Sequence, residues 1–116
     1  MAKRYPIDLK LSGTADASGE ITLRTHDFKG GGLVCIQRVA VRCHNNSSLV
    51  AHISLERQNE KLYLDTLKTT TGLQVARMKG PVYAPSDYGV CAEVSSVDAA
   101  DLVEVYVFGY WTDFPE

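Results

Sequence analysis

The sequence predicts an all-β fold, a two-sheet antiparallel sandwich of jelly-roll type with about eight strands. Three observations carry that expectation: apolar and polar residues alternate over short runs, turn residues separate those runs at regular intervals, and no stretch of 10 to 12 residues holds a helical period. At 116 residues the chain suits a single domain, 1–116, with residues 1–5 as an N-terminal arm. With 45% hydrophobic and 22% charged residues, a core can form without disulfides or metal.

Taken in order, Ile7, Leu9 and Leu11 alternate with Asp8, Lys10 and Ser12 and give a first half-buried strand. Ala17-Ser18-Gly19 supplies a turn in which Gly19 can take a positive φ. A second strand, residues 20–25, directs Ile21 and Leu23 inward, and a glycine loop ends at Gly30-Gly31-Gly32. The third strand, residues 33–44, holds Leu33, Cys35, Val39, Val41 and Cys43 at one parity, interrupted by Gln37, with Arg38 and Arg42 opposite. Asn45-Asn46-Ser47-Ser48 closes it. A fourth strand, residues 50–57, points Ala51, Ile53 and Leu55 inward, and a fifth, residues 61–67, points Leu62 and Leu64 inward.

Residues 69–80 fit neither period and read as a loop with a short strand or turn. Pro81 to Pro85 then makes a brief strand, and its two prolines belong at a sheet edge. Tyr88, Val90, Ala92 and Val94 alternate inward along a seventh strand. The last strand, residues 102–111, reads LVEVYVFGYW. Val103, Val105 and Val107 share one face; Tyr106, Phe108 and Tyr110 share the other, behind a single Glu104. Only one face of such a strand can join the core of a small domain, so the aromatic face calls for another copy or another protein. Trp111 lies on the valine parity and caps the core.

Tyr106, Phe108 and Tyr110 are therefore the candidate interface. Arg38 and Arg42 join it, either meeting Glu56 or Glu93 on adjacent strands or setting register with an acidic partner. A loop surface of Tyr83, Asp87 and Tyr88 is the alternative, a glycan- or host-surface-binding module. Tyr63 and Tyr83, each isolated on a short strand, read as packing residues.

Nothing points to a reaction. There is no GxSxG elbow, HExxH, P-loop or GxGxxG, and Asp65 and Glu93 would form a carboxylate pair only by accident of folding. His26, His44 and His52 are scattered, so no metal or other cofactor is expected. Cys35 and Cys43 stand eight residues apart on one strand, over about 25 Å, too far for a disulfide. With Cys91 they make an odd count and suit a reducing compartment. The two N-x-[ST] sequons at Asn45 and Asn46 read as turn residues, because the start of the chain lacks the apolar core of a signal peptide. No apolar run approaches the roughly 20 residues needed to span a bilayer, so no membrane partner is expected. A net charge of −2 argues against a nucleic-acid partner.

A loose pattern runs through nearly the whole chain. It comprises a G-x-A-x-A-x-G hairpin at Gly13, Ala15, Ala17 and Gly19, and a glycine pair, Gly31 and Gly32, leading to Arg38-Val39-Ala40-Val41. Leu64-Asp65 follows, with Thr71 and Gly72 beyond it, and then Pro81-Val82-Tyr83-Ala84-Pro85-Ser86-Asp87. The chain in this respect resembles the small β-sandwich structural proteins of tailed bacteriophage virions, the capsid decoration, head-fibre, neck or tail components. The resemblance implies a non-enzymatic virion protein made in the host cytoplasm. It would form a homo-oligomer and bind a neighbouring virion protein (capsid, neck or tail), with a capsid or head position favoured.

Overall fold

The computed structural model describes residues 4–26, 28, 32–44, 48–58, 60–69 and 75–112. Eight strands follow in order: β1 (Arg4–Thr14), β2 (Ile21–Arg24), β3 (Leu33–Cys43), β4 (Leu49–Arg57), β5 (Glu60–Thr69), β6 (Val75–Pro85), β7 (Gly89–Ser95) and β8 (Leu102–Thr112). They form two four-stranded sheets, the first in the order β1-β8-β3-β6 and the second in the order β2-β7-β4-β5. Every pairing is antiparallel. Of the strands consecutive in the chain, only β4 and β5 pair with each other, and the other connections pass from sheet to sheet. This is the jelly-roll arrangement that the alternating strands predict.

The core lies between the inner faces. Val103, Val105 and Val107 of β8 and Val39 and Val41 of β3 face Ile53 and Leu55 of β4 and Val90 and Val94 of β7, all almost fully buried. Each such side chain stabilises the fold by about 1.5–3 kcal/mol relative to exposure. Tyr88, Val90, Ala92 and Val94 point inward as the alternation predicts. Trp111 packs on the core rim and stacks on Tyr5, ring centroids 4.2 Å apart. Gly19 adopts φ 74°, and its turn is closed by Asp16, whose Oδ1 accepts from the Ser18 and Glu20 N–H groups at 2.8 and 3.0 Å.

Three expectations change. β1 begins at Arg4, which pairs with Thr112, so residues 4 and 5 belong to the sheet and not to an arm. Residues 75–80 are not a loop: they continue into 81–85 as one 11-residue strand, with Ala76, Met78 and Ala84 buried. That strand lies at a sheet edge, as its prolines predict.

The third change is in β3, where a register shift between Ile36 and Arg38 leaves Gln37 as a bulge. The bulge reverses the parity of the strand's first half. Val34 and Ile36 take the core positions, and Cys35 turns to the outer face beside Tyr110. Glycines make room on both neighbouring strands. A Cβ on Gly109 would stand 2.0 Å from the Cys35 carbonyl oxygen, and one on Gly80 2.3 Å from that of Ile36. All three cysteines are free and buried. The sequons at Asn45 and Asn46, most of the glycine loop, and Thr71 and Gly72 lie outside the described residues.

Candidate functional site

Register aligns the outward side chains of the first sheet in rows across β1, β8, β3 and β6. Pro6, Tyr110, Cys35 and Tyr83 form one row; Asp8, Phe108, Arg38 and Lys79 the next. Lys10, Tyr106, Ala40 and Arg77 follow, then Ser12, Glu104, Arg42 and Val75. Tyr106, Phe108 and Tyr110 thus run down the middle of the sheet, half-buried, and cations flank them on both sides. The rings of Tyr106 and Phe108 are parallel within 3°, centroids 6.5 Å apart. The Arg4 guanidinium lies 4.5 Å over the Tyr110 ring. Tyr83 is 60% exposed and Leu33 46% exposed at the β6 side of the apolar end.

The sequence-predicted interface residues therefore come together: Tyr106, Phe108, Tyr110, Arg38 and Arg42 share one surface. The proposed ion partners of the arginines do not. Glu56 and Glu93 belong to the second sheet, where Glu56 meets Arg24 at 2.8 Å and Glu93 meets Lys61 at 2.6 Å. Among the described residues no carboxylate forms an ion pair with Arg38, Arg42, Arg77 or Lys79. Arg42 Nε is buried without a hydrogen-bond partner among them.

Two acidic groups belong to this face: Asp8 is exposed on β1, and Glu104 is buried, only 5% exposed. Lys10 Nζ lies 2.5 Å from its Oε2, and His44 Nε2 meets Oε1. Hydrogen bonds from Lys10, and then from His44 and Tyr106, hold its carboxyl far below the ordinary range, at about 2. The Lys10 ammonium is correspondingly raised by Glu104. Near the opposite end, a hydrogen bond with Cys35 and partial burial push the Tyr110 hydroxyl above its usual value.

The loop surface proposed for a glycan does not assemble. Tyr83 lies on the outer face of β6, and Tyr88 is 6% exposed, its hydroxyl donating to Glu60 at 2.8 Å beneath the Arg57 guanidinium. Asp87 pairs with Arg57 at 3.0 Å and lines an open cleft of about 580 Å³ with Arg24, His26 and Glu56. Among the described residues no Tyr, Phe or Trp lines that cleft, and the pairs Arg24–Glu56 and Arg57–Asp87 each neutralise their charges beside it. Asp87 and Tyr88 thus share Arg57, while Tyr83 stands apart on the outer face of β6, and the three form no sugar-stacking platform. Tyr63 and Tyr83, expected as packing residues, are 62% and 60% exposed. Asp65 and Glu93 sit on β5 and β7 with β4 between them, so they form no carboxylate pair. Among the described residues no three metal-ligating side chains converge.

Sequence reasoning missed Tyr83, Arg77 and Lys79 as members of the first sheet's outer surface. Their alternation along residues 75–85 was the available signal, obscured by Gly80 and Pro81 in mid-strand.

No protein-family model matches this chain, and no curated protein matches it either. Solved structures share its fold. The Yersinia pseudotuberculosis-derived mitogen aligns over 97% of this chain and 90% of its own, with TM-score 0.54 and 13% identity. The virus-like particle protein of Macrobrachium rosenbergii extra small virus aligns over 99% of this chain and 81% of its own, with TM-score 0.50 and 11% identity. At such identities the likeness concerns the fold alone.

Proposed function

We propose that this chain is a non-enzymatic structural protein of a bacteriophage particle. It binds copies of itself and a neighbouring virion protein through the outer face of the first sheet. It is made in the host cytoplasm and ends in the virion, at the capsid or head in preference to the neck or tail. One observation carries the reading: three aromatic rings stand in a row on the outer face of a central strand, flanked by arginines and lysines. Aromatic and arginine side chains are the groups that dominate interface energetics, and a ring row of this kind offers large apolar area at little entropic cost. The fold, shared with the protein of a virus-like particle, is compatible with that role.

The test is light scattering after size exclusion, comparing the wild type with Tyr106→Asp/Phe108→Asp. The wild type should run as a multiple of the 12.7 kDa protomer, and the double variant at one protomer with an unchanged circular dichroism spectrum. A monomeric wild type, or a variant that keeps the wild-type mass, would refute self-association through this face.

A further inference from the structure

Charge is unevenly divided over this molecule. The outer face of the first sheet carries Arg4, Lys10, Arg38, Arg42, Arg77 and Lys79 against Asp8 and Glu104, a formal +4. The whole chain carries −2, so the rest of it carries −6. Pairing this face with itself about a two-fold axis would set cations against cations around rings that exclude water, where screening is weakest. A contact with a different, acidic surface has no such cost.

The chain provides one. The β1–β2 loop, residues 15–20, and the β7–β8 loop, residues 96–101, lie against each other at one end of the sandwich. Ala15 N–H donates to Asp101 O at 2.9 Å, and Ala100 N–H donates to Ala15 O at 3.0 Å. Together they hold Asp16, Glu20, Asp98 and Asp101 and no lysine or arginine, and all of these but Asp101 are exposed.

We infer that the chain assembles head to tail, the basic aromatic face of one copy receiving the acidic loop end of the next. The inference rests on the self-association proposed above and specifies its geometry. A repeated contact between two different patches closes into a ring or runs on as a filament, whereas a self-complementary patch stops at a dimer.

Two full-length variants test it. Arg38→Glu/Arg77→Glu reverses charge on the face at exposed positions. Glu20→Lys/Ala99→Lys cuts the loop end from −4 to −1 and leaves the turn bonds of Asp16 intact. Sedimentation velocity is run on each alone and on an equimolar mixture, with thermal melts confirming that both fold. Each variant alone should be monomeric where the wild type assembles. The mixture should give a dimer that grows no further, because it contains one intact face for one intact loop end. Raising NaCl from about 50 to about 500 mM should weaken wild-type assembly by about tenfold or more, as the Debye length shortens.

A mixture that stays monomeric beside an assembling wild type overturns the head-to-tail geometry and leaves self-association standing. A wild type that is monomeric at low salt removes both. Should that monomer bind a fluorescent oligo-dT strand, with loss in the face variant alone, the acidic occupant is nucleic acid and not a second copy.

Discussion

The outer faces of the two sheets solve the same problem in opposite ways. On the second sheet, Arg24 meets Glu56 and Lys61 meets Glu93, each across neighbouring or next-neighbouring strands, and Cys91 and Ser54 lie buried beneath. Four of its charges close into two ion pairs within the subunit, and Lys68 stands apart on the edge strand β5. On the first sheet, one carboxylate is matched by Lys10 and His44, and Arg38, Arg77 and Lys79 stand beside aromatic rings without an acidic partner among the described residues. A face whose charges are closed locally gains little from a partner. One that leaves cations and rings open is the face to which the proposed contact is assigned.

The sharpest way to break the contrast is to disturb the bulge that builds the first sheet's face. Gly109→Ala would drive a methyl to 2.0 Å from the Cys35 carbonyl oxygen, a backbone atom that cannot swing aside. The strand β8 must shift against β3, and about 2–3 kcal/mol of stability should be lost in urea unfolding. Gly13→Ala is the control: its new methyl meets Ile21 Cδ1 at 2.6 Å, the end of a flexible side chain, and should cost under about 1 kcal/mol. Equal losses in the two variants would show that Gly109 is not needed for the bulge.

Next in size is the acid dependence of the two faces. Glu104 titrates at about 2 in the folded protein against 4.5 for the free group. A depressed carboxyl stabilises the fold above its unfolded value, and that contribution fades as pH drops from about 4.5 through 2. Glu104→Gln should therefore cost about 1–2 kcal/mol at pH 7 and close to nothing near pH 2. Glu93 is also lowered, through its hydrogen bond from Lys61, but both side chains of that pair are 45% exposed. Glu93→Gln should cost no more than about 0.5 kcal/mol at pH 7. If the two glutamine variants lost stability alike, the buried and exposed carboxylates would not differ as described.

How far this contrast was legible in the sequence depends on the range of the signal. Alternation is local, so β8 sorts its own faces: Val103, Val105 and Val107 inward, Tyr106, Phe108 and Tyr110 outward. The same local rule places Tyr88 and Val90 correctly. Which strand lies alongside is a property of topology. Alternation also sets Arg38 and Arg42 on the outer face of β3, yet their neighbours are β8 and β6, so Glu56 and Glu93 on the other sheet are out of reach. The bulge at Gln37 was illegible for a related reason. The glycines that accommodate it, Gly80 and Gly109, belong to strands far away in sequence, and neither carries meaning until β3 lies between them.

The smallest effect concerns a hydroxyl under the ion pairs of the second sheet. Ser54 is 3% exposed on β4, between Cys91 of β7 and Tyr63 of β5, and its Oγ has no hydrogen-bond partner among the described residues. A hydroxyl buried without a partner costs free energy that an alanine methyl does not. Ser54→Ala should leave stability unchanged or raise it by up to about 1 kcal/mol, read as a rise in the urea midpoint with the m-value constant. Loss of stability would mean that the hydroxyl is satisfied after all, by a trapped water or a turn of Lys61. The second sheet's polarity would then reach deeper than its ion pairs, and its outer face would be held by a buried network. A neutral or stabilising result instead confines that polarity to the surface, where it matches charge without organising the layer below.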